Sequence, residues 1–373
     1  MYISGTRADF GLFRSTLELV SADPEVQVTL GLTGTHLDPA YGNSTEEVDA
    51  SGLAVVGRIQ VSSDGSEESV HESLSIQVRE FGTLFRKEKP DAVILLGDRS
   101  EMLMAGVAAL HGNFPILHIH GGELSGTIDE SMRHAISKLS HYHFVSTQRS
   151  GQRLIRMGEQ PDHVFVIGAP GLDDIMSIET GSREVWSEIG FSPEQKLGLV
   201  IFHPVVQDSE DMARQFEQVI EAAFALLNGF VLFRPNSDIG RIGINTLVDK
   251  VSNDPRVRVV SHLDRDKYLR ILAVSDLLIG NSSSGIIEAA SFSVPVVNIG
   301  DRQNQRDRSK NTFQADSDLQ SILSAGESAL KWKLALDGPC CNVYGDGKAG
   351  GRFLEILKTL SFDKQLLKKV FYE

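Results

Sequence analysis

Carboxylate and imidazole side chains crowd the stretch from residue 98 to residue 134, and both groups can transfer protons. A carboxylate enclosed with other acids can have its pKa raised towards neutrality, where general acid–base catalysis is efficient. An unperturbed histidine titrates near ~6.5. The titratable and cationic residues of this stretch are Asp98, Arg99, His118, His120, Glu123, Asp129, Arg133 and His134. The stretch therefore has the composition of the reacting half of an active site.

Two short apolar runs must position these side chains. Ala92–Leu96 ends just before Asp98, and Pro115–Ile119 ends at the polar cluster His120–Glu123. A helix-forming segment, Ser100–Leu110, separates the two runs, and a second helical segment follows the polar loop. Strand, helix, strand, helix is the pattern of a parallel βαβ unit. Because ligands collect beyond the carboxyl ends of parallel strands, we expect the reacting groups to converge at one sheet edge.

Four of these residues also have a purely structural interpretation. Asp98 could cap the helix that follows it, and Asp129 could be the N-cap of the helix that begins near Glu130. His118 and His134 belong to a residue type that is more often packed or hydrogen-bonded than catalytic. Because all of these residues occur together, a catalytic role is favoured for the two aspartates. The choice between a catalytic and a structural role stays open for the two histidines.

The first strand ends at a turn with features of an anion site. Gly5-Thr6-Arg7-Ala8-Asp9 precedes a helical segment, Leu12–Val20. A glycine-bearing turn before a helix presents backbone N–H groups to an anion, and Arg7 would add charge-assisted hydrogen bonds. The alternative is a turn capped by Asp9 with a surface arginine. The turn is not a GxGxxG fingerprint, so a nicotinamide cofactor is not indicated.

The best candidate anion cradle is Gly280–Gly285, with the sequence Gly-Asn-Ser-Ser-Ser-Gly before a helix. The hydroxyl groups of Ser282 and Ser283, the backbone N–H groups and the helix dipole all favour a phosphate. The carboxylate of Glu288 suits a ribose diol because it can accept two hydroxyl hydrogen bonds. Arg302 lies in a basic loop at another strand end. The alternatives are N-capping without a ligand and a solvated run of charges.

Composition excludes several classes of protein. The 373-residue chain is 41% hydrophobic and 23% charged, as in soluble globular proteins. Its net charge of −14 argues against a general nucleic-acid binder but permits a local anion pocket. The two cysteines, Cys340 and Cys341, are adjacent, so no disulfide framework is expected. No signal peptide or apolar run of ~18 residues is evident. We expect a cytoplasmic protein with no nucleic-acid or membrane partner.

The length suggests two domains of roughly 100–200 residues. In the second half, five apolar runs end in polar residues before a helix, which predicts a second Rossmann-like sheet. These runs are Leu197–Phe202, Gly229–Phe233, Arg256–Ser261, Leu277–Ile279 and Pro295–Ile299. We place the domains at 1–175 and 176–351, with helices at Ile286–Ser291, Gly351–Leu360 and Asp363–Val370. The predicted fold is α/β, with two Rossmann-like domains whose strand ends face each other across a cleft.

The ordered motifs resemble those of the hydrolysing UDP-N-acetylglucosamine 2-epimerases, bacterial and animal enzymes that open sialic acid synthesis. The resemblance covers both halves of the chain, and such a set is highly specific. The matching segments are Gly5–Asp9, Leu96–Arg99, His118–Glu123, Ile128–Glu130, Arg133–Lys138, His203-Pro204, Gly280–Gly285 with Glu288, and Asn298–Arg302. The resemblance implies a glycosyltransferase-B-like fold in which a C-terminal helix, at about residues 352–373, packs back onto the first domain. It also implies a homodimer or homotetramer.

The resemblance implies a reaction without metal ions or other cofactors. UDP is eliminated with loss of the C2 proton, and water adds to the resulting glycal, giving N-acetylmannosamine and UDP. Asp98 and Asp129 are the candidate base and acid–base residues, and His120 is a candidate proton shuttle. Glu123 would do similar work or orient sugar hydroxyls. Some relatives, including the animal enzyme, carry a glutamate where this chain has His120.

The remaining candidates are expected to bind the substrate, because a diphosphate is stabilised by arginines and by aligned dipoles. Asn236 and His262 match family positions near the nucleotide. The full set of candidate substrate-binding residues is Arg7, Arg99, His203, Asn236, His262, Ser282, Ser283, Glu288 and Arg302.

Four other functions compete with this interpretation. The nearest is the same chemistry on a UDP- or GDP-linked 2,4-diacetamido-trideoxyhexose, as in legionaminic acid synthesis. A non-hydrolysing epimerase is disfavoured, because Gly97-Asp98-Arg99 and Asn281–Gly285 resemble the hydrolysing branch. From another class, the chain could be a glycosyltransferase or a nucleotide-sugar binding protein.

Overall fold

The computed structural model describes residues 1–38, 45–61, 66–125, 128–178, 182–203, 212–234, 241–261 and 263–373. The chain divides into two compact units. The first unit comprises Met1–Asp174 and Tyr344–Glu373, and the second comprises Ile175–Val343. Each unit is built on a parallel sheet flanked by helices. The prediction of two parallel-sheet α/β domains is therefore confirmed.

Seven parallel strands form the sheet of the first unit, in the order β3-β2-β1-β4-β5-β6-β7. The strands are β1 Tyr2–Ser4, β2 Thr29–Leu32, β3 Ala54–Arg58, β4 Val93–Leu96, β5 Ile116–Ile119, β6 Tyr142–Val145 and β7 Val164–Val166. Every residue of β1, β4, β5 and β6 is buried, as expected for parallel strands covered on both faces. The polar residues that follow these strands therefore share one edge of the sheet.

Six helices follow the strands of this unit. They are α1 Arg7–Ser21, α2 Thr45–Ala50, α3 Glu67–Glu88, α4 Ser100–Gly112, α5 Ile128–Leu139 and α6 Gln148–Arg156. Among the helices of the described ranges, none combines the length and apolar character needed to cross a bilayer.

Six parallel strands form the sheet of the second unit, in the order β10-β9-β8-β11-β12-β13. The strands are β8 Leu197–Ile201, β9 Gly229–Phe233, β10 Val257–Val260, β11 Leu277–Gly280, β12 Val296–Ile299 and β13 Thr312–Ala315. The helices are α7 Met212–Leu226, α8 Arg241–Val251, α9 Arg265–Ala273, α10 Ser283–Ile287 and α11 Leu319–Leu334. All five predicted strands are present.

The sequence did not predict β13 or α11, and it placed one helix too late. β13 is an edge strand in which only the last residue is buried, so it has no continuous apolar run. The helix predicted at Ile286–Ser291 instead begins at Ser283, because the Ser282 hydroxyl caps it. It ends at Ile287 and is followed by a 3₁₀ helix, Ala289–Phe292.

The C-terminal residues belong to the first unit. Helix α12, Ala349–Leu357, packs on α1. The ring of Phe353 lies 5.4 Å from that of Phe13 and 4.6 Å from that of Phe144. Burial of three aromatic rings in edge-to-face contact stabilises this arrangement.

The predicted helix at Asp363–Val370 is wrong. Residues 361–373 contain turns and no helix. Asp363 accepts two backbone N–H groups in a turn. Lys369 Nζ lies within hydrogen-bond distance of the carbonyl oxygens of Ser137, Lys138 and Ser140, at and directly after the C-terminal end of α5, where the intrahelical hydrogen bonds run out. An isolated eight-residue helix is marginal in water, so these tertiary hydrogen bonds determine the conformation.

The same lysine contacts a buried carboxylate. Glu159, whose side chain is 2% exposed, lies 2.6 Å from Nζ of both Lys138 and Lys369 and 2.8 Å from Nε2 of His143. Burial alone would raise the pKa of Glu159, but hydrogen bonds and charges from His143, Lys138 and Lys369 outweigh it and hold this pKa at about 2. The ionised form therefore stabilises the folded first unit.

We expect Glu159→Gln to destabilise the protein at pH 7 by about 3 kcal/mol, the usual effect of removing one partner of a buried ion pair. The folded pKa lies below the unfolded value, so this contribution is complete above about pH 4.5 and disappears as the pH falls towards 2. Urea unfolding of both proteins at several pH values measures the difference. A difference that does not change with pH would contradict the assignment.

The matched control is Glu18→Gln, because Glu18 pairs with Arg14 on the protein surface. Exposed pairs contribute roughly 0.3–0.5 kcal/mol, so this variant should unfold almost as the parent does at every pH.

Candidate active site

Asp98 lies at the carboxyl end of β4 and is held by a buried arginine. Its carboxylate forms an ion pair with the guanidinium of Arg133 on α5. The Arg133 side chain is 4% exposed and that of Asp98 is 24% exposed, so the carboxylate is the accessible member of the pair. The N-cap residue of α4 is Arg99, and it makes no side-chain capping bond. Asp98 therefore does not cap α4 and is instead oriented by Arg133.

Asp129 lies in the first turn of α5, one helical turn before Arg133. Because α5 begins at Ile128, Asp129 is inside the helix and is not its N-cap. Asp129 is exposed. Residues i and i+4 share a helix face, so Asp129 belongs to the face of α5 that contacts Asp98.

His120 and Glu123 contact each other after β5. His120 Nδ1 lies 2.9 Å from Glu123 Oε1. Ser146, which follows β6, has its Oγ 2.8 Å from His120 Nδ1 and 3.1 Å from Glu123 Oε1. All three residues are buried. Ser146 was not predicted from the sequence, although a polar residue directly after an apolar strand is the signal that identified Asp98.

His118 has a structural role within β5. Its Nε2 lies 2.7 Å from the Gly97 carbonyl oxygen, and its Nδ1 lies 3.0 Å from Ser137 Oγ. Burial lowers the pKa of His118 to about 3, so the imidazole is neutral at physiological pH. Burial also lowers the pKa of His134, whose Nε2 is 3.8 Å from a carboxylate oxygen of Glu130. Both ring nitrogens of His118 are engaged, which favours the packing interpretation.

The turn after β1 binds an internal carboxylate. Asp9 accepts the backbone N–H groups of Gly5 and Thr6 at 3.0 and 2.8 Å, and it also contacts the hydroxyl groups of Thr6 and Ser4. Burial raises the pKa of Asp9 to about 6 in spite of these bonds. Ser4 Oγ in turn lies 2.8 Å from His36 Nε2. The backbone donors that we expected to face an external anion are therefore used by Asp9, as in the capping alternative.

Arg7 and Arg99 each contact a glutamate. Arg7 Nε lies 2.7 Å from Glu47 Oε2. Arg99 lies 3.3 Å from Glu101 Oε1. Glu101 is buried and packs against Gly5. This carboxylate at the strand ends was not predicted from the sequence, because an acid in a first helical turn is already explained by the helix dipole.

In the second unit, Asn281 connects three strand ends. Its side chain accepts the backbone N–H of His203 at 2.8 Å and donates to the His203 carbonyl at 2.8 Å. Its own carbonyl accepts a hydrogen bond of 3.0 Å from Arg302. Ser282 caps α10, and Ser283 is the first residue of that helix. The structure thus brings together four of the candidate substrate-binding residues.

Glu288 is engaged at both carboxylate oxygens. Arg265 lies 2.9 Å from Oε1, and the Ser284 hydroxyl lies 2.5 Å from Oε2. The hydroxyl of Tyr268 contacts the same serine. Burial, followed by the charge of Glu288, raises the pKa of Tyr268. A ribose diol would therefore have to replace one of these partners. The other two candidates, Asn236 and His262, lie outside the described residues.

The family model described as UDP-N-acetylglucosamine 2-epimerase matches residues 18–358. The chain is 45% identical over 372 residues to the UDP-N,N'-diacetylbacillosamine 2-epimerase (hydrolyzing) of Legionella pneumophila, covering 99% of this chain and 98% of that protein. It is 33% identical over 328 residues to the UDP-N-acetylglucosamine 2-epimerase of Neisseria meningitidis serogroup B, covering 88% and 86%.

A solved structure has the same fold. The Methanocaldococcus jannaschii UDP-GlcNAc 2-epimerase in complex with UDP-GlcNAc and UDP superposes with a TM-score of 0.74 at 16% identity, covering 96% of this chain and 99% of that one. The predicted glycosyltransferase-B-like fold class is confirmed by this likeness. The chain therefore belongs to the UDP-N-acetylglucosamine 2-epimerase family, among its hydrolysing members.

Proposed function

We propose that the chain catalyses the hydrolysing 2-epimerisation of a UDP-linked 2-acetamido sugar. A base removes the C2 proton, the C1–O bond to the diphosphate breaks, and UDP leaves a C1–C2 double bond behind. Water then adds to C1 while C2 receives a proton on the opposite face, which inverts its configuration. The observation that carries this proposal is the 45% identity to a hydrolysing 2-epimerase across 99% of the chain.

In this proposal, Asp98 and Asp129 move the C2 proton. The ion pair with Arg133 supports a role for Asp98 as the base, because it orients a carboxylate that stays partly accessible at the strand end. Asp129 would return a proton from its position on α5. Positioned acids and bases of this kind typically contribute ~10²–10⁴ to the rate.

The ends of β8, β11 and β12 would hold the UDP group. Ser282, Ser283 and Arg302 would contact the diphosphate, and His203 would be oriented by its two hydrogen bonds to Asn281. A diphosphate carries concentrated negative charge, so an arginine and the N-terminus of a helix are suitable partners.

The substrate we favour is UDP-N,N'-diacetylbacillosamine. The Legionella relative named for this substrate shares 45% of residues over nearly the whole of both chains. The product would be UDP and the free 2,4-diacetamido-2,4,6-trideoxy sugar with inverted configuration at C2. UDP-N-acetylglucosamine, the substrate to which the sequence motifs first pointed, is the second candidate, supported by the Neisseria relative at 33% identity.

Incubation with each sugar nucleotide in deuterated water, followed by proton NMR, tests both the reaction and the substrate. We expect UDP and a free sugar carrying deuterium at C2, with kcat/KM at least about tenfold higher for the diacetamido substrate. One missing polar contact can discriminate between substrates by that factor or more. The same assay with the GDP-linked diacetamido sugar tests the preference for the nucleotide.

The possible outcomes test the proposed substrate and the proposed reaction separately. Faster turnover of UDP-N-acetylglucosamine would overturn the substrate and leave the reaction in place. Transfer of the sugar to an acceptor without C2 exchange would indicate a glycosyltransferase. Binding of all sugar nucleotides without any turnover would indicate a binding protein, and either result would overturn the reaction.

A further inference from the structure

His120 has a backbone conformation that residues other than glycine rarely adopt, with a φ of +62°. Within the described ranges, three other non-glycine residues have positive φ: Lys89, Asn113 and Ser293. Each of these is the C-cap residue of a helix, where that conformation is common. His120 instead follows a strand, β5. Strain of this kind persists where surrounding contacts over-determine it, and it clusters at functional sites.

The contacts of the His120 side chain specify one tautomer. Glu123 Oε1 lies 2.9 Å from Nδ1, and an ionised carboxylate can only accept hydrogen bonds. Nδ1 therefore carries the proton. The Ser146 hydroxyl, 2.8 Å from Nδ1 and 3.1 Å from Oε1, can donate to Glu123 while accepting from Nδ1–H. When the imidazole is neutral, its lone pair is therefore on Nε2.

Nε2 itself has no hydrogen-bond partner among the described residues, although it is buried. A buried acceptor without a partner is uncommon in folded proteins and requires an explanation. His120 as a whole is 9% exposed, so bulk water does not readily satisfy this atom. A ligand that presents a proton at this site would provide the missing partner.

We propose that Nε2 of His120 accepts the proton of the water molecule that adds to C1, with Glu123 and Ser146 as positioning residues. This inference rests on the proposed function. In that function the two aspartates already account for removal and return of the C2 proton, so deprotonation of water is the step that lacks a base. A neutral imidazole with a fixed lone pair is suited to it.

The step conserves atoms and charge. The water oxygen bonds to C1, one of its O–H bonds breaks, and that proton binds the lone pair of Nε2. The electrons of the C1–C2 double bond form the new C2–H bond with the proton of a protonated aspartate. The Glu123 carboxylate stabilises the imidazolium, which returns its proton to solvent after the product leaves.

The first test is His120→Asn, because asparagine tolerates the left-handed conformation. We expect a folded protein, checked by its circular dichroism spectrum and thermal midpoint, together with a fall of about 10²-fold or more in free-sugar formation per folded protein. Elimination should persist, so UDP and the unsaturated sugar should accumulate in the first turnovers. Equal losses of UDP release and sugar formation, without accumulation of the unsaturated sugar, would overturn the assignment to water.

The control for strain is Lys89→Asn, which relieves the same backbone conformation at the end of α3. It should raise the thermal midpoint and leave turnover unchanged. Absence of turnover in the parent protein itself would count against the proposed function and not specifically against His120.

The second test addresses the positioning residues through the tautomer of His120. In ¹⁵N-histidine NMR spectra, we expect His120 of the parent protein to carry its proton on Nδ1. Glu123→Gln can donate to Nδ1, so the spectrum should shift towards the Nε2–H tautomer and free-sugar formation should fall at least about tenfold. Ser146→Ala keeps the carboxylate and should have the smaller effect. A parent spectrum of the Nε2–H tautomer would overturn the proposal.

Discussion

The Asp98→Asn variant is expected to lose at least about 10²-fold in turnover, because an amide cannot act as a base and such groups contribute ~10²–10⁴. The expectation depends on the geometry at the end of β4. Asp98 does not cap α4 and is held by an arginine whose side chain is only 4% exposed. Its carboxylate is thus oriented at the strand end.

The same substitution should also lower stability, since Arg133 loses its charged acceptor. Hydrogen bonds to charged groups contribute roughly 1.5–3 kcal/mol, and we expect a loss of stability within that range. Turnover must therefore be measured per folded protein, at a temperature well below the unfolding transition of the variant. Steady-state kinetics and circular dichroism on the same samples provide both quantities.

Asp129→Asn separates chemistry from stability. Asp129 is exposed in the first turn of α5, so its replacement should leave stability nearly unchanged while turnover falls by a similar factor of at least about 10². Asp49→Asn is a matched control, because Asp49 forms an exposed pair with Arg58 and should alter neither quantity measurably. Near-parent turnover in both Asp98→Asn and Asp129→Asn would refute the assignment of these acids.

The fold was readable from the sequence wherever burial is complete. The four residues of β4 and the four of β5 are all buried, so each appears as a short apolar run that ends where the chain reaches the sheet edge. β13 shows the reverse, because it is an edge strand in which only the last residue is buried, so it lacks that signal. The segment at Asp363–Val370 has helical composition, but its conformation depends on the hydrogen bond from Lys369 to a carbonyl group just after α5.

The sequence predicted candidate site residues but not the contacts between them. Residue type and position at strand ends selected Asp98, His120 and Glu123 as candidates, and the structure places all three after the buried strands β4 and β5. Partner choice is a tertiary property, so the sequence could not show that Arg133 binds Asp98 or that Asp9 occupies the backbone donors after β1. At the turn after β1 the sequence was compatible with an external anion and with a capping Asp9, and the contacts in the structure show that Asp9 accepts the backbone N–H groups.

Gly280→Ala should lower the free energy of unfolding by at least about 3 kcal/mol, a large effect for the addition of one methyl group. Gly280 ends β11, which pairs with β8 on one side and β12 on the other. Its φ is +146°, and an added Cβ would lie 2.6 Å from the carbonyl carbon of Ile201 and closer still to the carbonyl oxygen. Backbone on a paired strand cannot move away without breaking the ladder.

Variants at two other glycines distinguish the cost of the positive φ from the cost of the steric clash. Gly300 also has a positive φ, +66°, but an added Cβ would meet nothing within 4 Å. Gly300→Ala should therefore lower the free energy of unfolding only by the cost of the positive φ, about 1 kcal/mol. Gly351 lies in α12 with open space around it, so Gly351→Ala should be neutral or stabilise the helix by up to about 1 kcal/mol.

The three glycine variants also test how the strand ends of the second unit are built. Asn281 follows Gly280 directly and holds His203 by two hydrogen bonds of 2.8 Å. Any Gly280→Ala protein that folds must displace Asn281, so its affinity for UDP should fall along with its stability. Urea unfolding and calorimetric titration with UDP measure the two effects. Equal stability of the Gly280→Ala and Gly300→Ala proteins would show that the close approach to Ile201 is not what the fold requires.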